Sequence, residues 1–150
     1  MNFKAFLAIS ILVLTSFLMS STASASALLL AEGSWELIPN NDPRTDDLEK
    51  VHRCSVEPLK VKIDIKAMRY TAQFGQNEEL IEADILDSGD NFLQLKYDNE
   101  ERKMDNGELQ VWRMLFTSTD VFVWVRQDWI VDGEVKGATQ ARRRCTAPMV

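Results

Sequence analysis

Histidine occurs once in this chain, at His52, and that scarcity removes much familiar chemistry. A Ser/His/Asp arrangement would have to use this side chain. It stands beside Arg53 and Cys54 in a segment that reads as a loop, so a structural or solvated histidine is the simpler reading. One His among scattered Asp and Glu gives no zinc-ligand spacing, and Asp87 to Asp90 is too short and wrongly spaced for a calcium loop. No glycine-rich phosphate loop is present. Acid pairs such as Glu78-Glu79 and Asp46-Asp47 sit in polar turns and read as solvated faces. These absences point away from an enzyme and give no reason to expect a cofactor or a metal.

Positive charge is also scarce: 17 Lys and Arg stand against 23 Asp and Glu, a net charge of −6 at pH 7. A general nucleic-acid binder needs a basic surface to displace counterions, and an anionic membrane surface is disfavoured for the same reason. Cysteine is limited to Cys54 and Cys145. No C-x-x-C spacing lowers a thiol pKa, and in an oxidising compartment an isolated pair forms a disulfide.

The one long apolar run is Ala5 to Met19, preceded by Lys4 and followed by the small residues SSTASASA. That order predicts a cleavable signal peptide over residues 1–27. Ser and Thr interrupt the run before it reaches the roughly 20 residues a membrane span needs. Two A-x-A sites, Ala23-Ser24-Ala25 and Ala25-Ser26-Ala27, allow a cut after Ala25 or Ala27, the latter preferred. No Cys stands near either site to anchor a lipoprotein. Residues 28–150 then form one domain of ordinary size, with a net charge of about −7 once Lys4 is gone. A soluble periplasmic or secreted protein is expected, with no membrane contact after cleavage.

The rest of the chain alternates with period 2, the signal for strands. Val61, Ile63 and Ile65 alternate with Lys60, Lys62 and Asp64, and Leu93, Leu95 and Tyr97 with Gln94 and Lys96. Strands are predicted at 33–38, 59–65, 68–74, 79–86, 91–97, 108–116, 121–131 and 134–144. One short helix is predicted within 42–52, with Thr45 as a possible N-cap and Asp46, Asp47 and Glu49 near its positive end. Eight sequential antiparallel strands describe an all-β up-and-down barrel, which removes exposed edges. Asp132-Gly133 fits a two-residue type I′ turn. Carrying its register back pairs Trp124 with Ala141 and Phe122 with Arg143, so Phe122, Trp124, Arg126 and Arg143 face inward. Because neighbours on a strand point to opposite faces, Arg142 and Arg144 would then lie on the surface.

Gly33-Ser34-Trp35 at the start of the first strand, with an arginine near the end of the last, resembles the lipocalins and the wider calycin group. The resemblance implies that Arg143 packs across Trp35 at the closed end of the barrel. It also implies that the loop after the first strand lies at the open end. That loop carries Cys54, whereas Cys145 follows the last strand at the closed end, and a ten-residue strand spans about 33 Å. Either the loop folds down the barrel's side or the strand order departs from a lipocalin's.

Trp112, Trp124, Trp129, Phe92, Phe116 and Phe122 fall on the fifth to seventh strands. In an eight-stranded barrel such residues either fill the interior or line a cavity for one small ligand. Two functions follow. One is a lipocalin-like binding protein for a small apolar or amphipathic molecule, with Arg126 holding an acidic head group and Trp124 and Trp112 lining the tail. The other is a module that binds a protein partner, since small exported G-x-W barrels also resemble bacterial protease inhibitors.

Overall fold

The computed structural model describes residues 26–75 and 79–146. The signal segment up to Ala25, and Glu78, therefore lie outside the described residues. Eight antiparallel strands close into an up-and-down barrel: β1 (Gly33–Leu37), β2 (Leu59–Asp64), β3 (Arg69–Phe74), β4 (Ile81–Ser88), β5 (Phe92–Tyr97), β6 (Trp112–Ser118), β7 (Val121–Arg126) and β10 (Arg142–Arg144). β8 (Ile130–Val131) and β9 (Glu134–Val135) form a small separate hairpin. The alternation works as predicted on the central strands. Leu59 and Val61 are buried between exposed Lys60 and Lys62, and Leu93 and Leu95 are fully enclosed. Burying each large apolar side chain contributes about 1.5–3 kcal/mol.

At one end the barrel is plugged by a helix that the strand pattern does not show, α1 (Ala27–Ala31). Its sequence, ALLLA, consists of strong helix formers, and the Ser26 side chain accepts a hydrogen bond from the Leu28 N–H. Ala27 and Ala31, four apart and so on one face, are fully buried, whereas Leu29 points to solvent. The Trp35 indole, fully buried beneath, donates to the Ala31 carbonyl at 3.0 Å.

The arginine over Trp35 is Arg144, not Arg143. Its guanidinium lies 4.3 Å from the ring and donates to the carbonyls of Glu32 (2.8 Å) and Leu30 (2.6 Å) and to the Asp120 carboxylate. Arg143 points outward and pairs with Glu36 at 2.6 Å. The Asp132-Gly133 turn is as expected: both φ angles are positive, 53° and 79°, as type I′ requires, and Val131 faces Glu134. The register does not survive to the barrel. A 3-10 turn at Gln127–Trp129 and an irregular stretch over 136–141 interrupt it, and when pairing resumes Phe122 faces Arg142. A slip of one residue exchanges the two faces of a strand, so Arg142 and Arg144 turn inward and Arg143 outward. Gly33 completes this corner: its φ of +138° suits glycine alone, and a Cβ there would stand 2.6 Å from an Arg144 nitrogen.

Cys54 and Cys145 form the expected disulfide, with Cα atoms 5.6 Å apart. The connection is possible because the first loop folds down the barrel's side. β1 has only five residues, about 17 Å at the usual rise, and only Gly33–Trp35 pair with β2. Beside the rest of β1 the chain descends from α2 (Asp46–Val51), the predicted short helix. The Leu37 N–H donates to the His52 carbonyl and the Cys54 N–H to the Glu36 carboxylate, while the Cys145 N–H donates to the Ser34 carbonyl. Thr45 stands at the N-cap but makes no cap bond; its hydroxyl bonds Asn40, Asp42 and Glu49.

Candidate functional site

The end opposite α1 is the mouth. Antiparallel alternation brings the last inward residue of β5 (Tyr97), the first of β6 (Trp112) and the first of β4 (Ile81) to this rim, with Trp124 one step inside it on β7. Together with Arg102 and Thr139 they line a recess of about 280 Å³. Ile81, Tyr97 and Arg102 also border an adjoining, acid-rich hollow of about 410 Å³ that carries Glu79, Glu82, Glu100 and Glu101. The recess itself has an aromatic wall and one cation at its rim.

Of the residues expected to hold a ligand, Trp112 and Trp124 are brought together here. Arg126 is placed differently. It sits on the inward face, opposite Trp112 across the ladder, as the alternation predicts. Its guanidinium, however, turns to the rim, where it donates to both oxygens of Asp128 (2.6 and 2.7 Å) and to Asp105, and lies over the Trp129 ring. An inward arginine near a barrel mouth must find a negative partner because burying it alone is costly, and two aspartates supply it. The Asp128 pair holds the Arg126 guanidinium above its ordinary value and the Asp128 carboxyl below its own. The same 3-10 turn that breaks the hairpin register carries Trp129 round to meet Trp112 edge-on, their centroids 5.8 Å apart.

Sequence reasoning missed Arg102. It lies in the connection over 98–111, part of which was read as the start of a strand; there Lys103 bridges to Leu109 as a small hairpin of its own. No periodicity marks a loop residue for a site. Arg102 clasps the buried Glu100 carboxylate at 2.6 and 2.7 Å, keeping that carboxyl below its ordinary value, and its guanidinium stands 5.5 Å from the centre of the Trp112 ring. Tyr97 was legible, being the third member of the Leu93, Leu95, Tyr97 face.

Beneath the recess the barrel is filled. Trp124 packs edge-on against Phe122 (5.4 Å) and Tyr70 (6.1 Å), and Phe122 against Trp35 (4.8 Å), a continuous aromatic column from mouth to plug. Core filling therefore takes the lower barrel and the open recess only the top. Within this column lies a charge that the hairpin register had placed outside. Arg142, between Phe122 and Leu37 across the ladders, is 8% exposed. Its guanidinium lies 5.4 Å from the Phe74 ring, and no acid or hydrogen-bond acceptor meets it among the described residues; one terminal nitrogen is wholly enclosed without a partner. Burial pulls this guanidinium down to about 10, and it pushes the hydroxyls of Tyr70 and Tyr97, which feel the same charge, above their ordinary value. The ring of His52, the residue that ends α2, packs at 4.4 Å against Phe74, the last residue of β3. Among the described residues no three His, Cys, Asp or Glu side chains cluster as metal ligands, and no helix is long and apolar enough to cross a membrane. No protein-family model matches the chain, and no curated protein or solved structure matches it significantly.

Proposed function

We propose that this is an exported, lipocalin-like binding protein that receives a small amphipathic molecule in the recess at the barrel mouth. The observation that carries the reading is the wall of that recess. Trp112, Trp124, Tyr97 and Ile81 present apolar surface in a concave site, with Arg102 and Thr139 as polar groups at its edge, the usual composition of a ligand pocket. At about 280 Å³ the recess falls just under the roughly 300 Å³ at which such sites ordinarily begin, so a compact or medium-chain ligand fits it better than a large one. Two of the four tryptophans line it. Titration with 1-decanol should therefore change tryptophan fluorescence saturably, and Trp112→Ala should remove most of the response. An unchanged spectrum would defeat the reading in favour of a protein-binding module.

Export rests on the signal-like N-terminus and is supported by the disulfide. The plug helix bears on where the signal ends. Ala27 is fully buried and its N–H donates to the Gly89 carbonyl at 3.1 Å, while the Ser26 carbonyl accepts from Leu29 and Leu30. A cut after Ala27 would discard both groups, whereas a cut after Ala25 keeps α1 whole. Export of the full chain from a Gram-negative host should accordingly yield a mature protein whose mass begins at Ser26. A start at Leu28, or a full-length chain, would contradict it.

A further inference from the structure

Resting on the binding function just proposed, we infer that the ligand is an amphipathic anion whose carboxylate enters head first, past the recess, to pair with Arg142. The argument begins with what surrounds that side chain. Phe122 and Leu37 flank it along the ladders, Phe74 lies beside it, and the two tyrosines of the chain, Tyr70 and Tyr97, stand near enough to feel its charge. A guanidinium offers five donors in a planar fork matched to a carboxylate, and an enclosed cation without a counter-charge is one of the costliest groups a core can hold. The barrel's other inward arginines are answered: Arg144 by carbonyls and Asp120, Arg126 by Asp128 and Asp105. Arg142 alone among these three has no such partner.

The route is laid out by the aromatic residues. Tyr97 and Trp124 line the recess above, and the same two rings touch Tyr70 below, with centroids 6.4 and 6.1 Å away. A head group passing between Tyr97 and Trp124 would meet the tyrosine hydroxyls and then the Arg142 fork, leaving its apolar tail against Trp112, Trp124 and Ile81. The polarity is the reverse of one with a head group at the rim, because the rim arginine, Arg126, is already paired. The Tyr97 and Trp124 rings meet each other at 6.4 Å and both rest on Tyr70, so entry requires these rings to swing aside and the packing around Arg142 to open, side-chain motions that are far faster than backbone rearrangement.

The test compares decanoate with 1-decanol, equal in chain length and different in charge, on the full-length protein and on Arg142→Met. The wild type should prefer decanoate at least tenfold. Arg142→Met keeps the length and apolar volume and should fold as well as the wild type, since replacing a buried charge by a hydrophobe is often neutral or stabilising. It should lose the decanoate preference while binding decanol unchanged. If Arg142→Met does not fold, Arg142→Lys, which keeps the charge without the fork, should show an intermediate loss for decanoate alone. Equal binding of the two ligands by the wild type, or an equal fall for both in the variants, would overturn the Arg142 assignment and leave the recess standing. Failure of both ligands to bind the wild type would overturn the recess and the assignment together.

Discussion

Reduction of the Cys54–Cys145 disulfide is expected to cost this protein about 4–5 kcal/mol, the loop-closure figure for a ring of this length. The two residues are 91 apart. Against the 5–15 kcal/mol total stability of ordinary domains, that is a large part of the whole. The barrel's weakest seam makes the expectation sharper. β10 joins β1 through three residue pairs and β7 through only two, whereas β2–β3 and β6–β7 each share six. Cys145 follows β10 directly and is tied to the segment that descends along β1, so the bond staples the place where so few ladder pairs close the ring. Thermal unfolding with and without reductant should separate the two forms by well over 10 °C, using the several degrees per kcal/mol typical of domains this size. Hydrogen exchange in the reduced protein should quicken first at Arg142–Arg144. Coincident melting curves would show that the seam holds without its staple.

Arg144→Ala is the second large effect. The side chain stacks on fully buried Trp35 at 4.3 Å and bonds two carbonyls at the end of α1 as well as Asp120 at the β6–β7 turn. A partly desolvated cation–π contact contributes about 0.5–2 kcal/mol, and hydrogen bonds from a charged donor about 1.5–3. A loss of about 3 kcal/mol follows, read as a fall of roughly 10–15 °C in Tm. Arg143→Ala removes a pair in which the arginine is half exposed and the mostly buried Glu36 carboxylate keeps its bond from the Cys54 N–H, and should cost about 1 kcal/mol. Equal losses from the two variants would refute the register that turns Arg144 inward.

That register is also where reading along the chain and reading in space part company. Alternation over Leu59–Asp64 and Phe92–Tyr97 was sufficient for the strands because each side chain there reports its own face. Gly33, Trp35 and a terminal arginine were enough to anticipate a stacked closed end, and Asp132-Gly133 the turn beyond the opposite rim. The identity of that arginine was not legible, because pairing propagates only while both strands stay regular. The 3-10 turn at Gln127–Trp129 and the irregular 136–141 stretch carry no period that would reveal a lost residue.

For the site, Trp112, Trp124 and Tyr97 were determined locally, since inward alternation on β5, β6 and β7 sends them to the mouth wherever the barrel closes. Charge was decided only by tertiary structure. Whether an inward arginine is free depends on which carboxylates the loops bring to it. Asp105 and Asp128 reach Arg126 from segments without strand pattern, while no described acid reaches Arg142. The composition and periodicity of this chain determined an eight-stranded barrel, its aromatic interior and its cysteine staple, because burial and alternation act residue by residue. Closure decided the plug helix and which of three consecutive arginines are enclosed, because both depend on contacts between elements far apart in the chain.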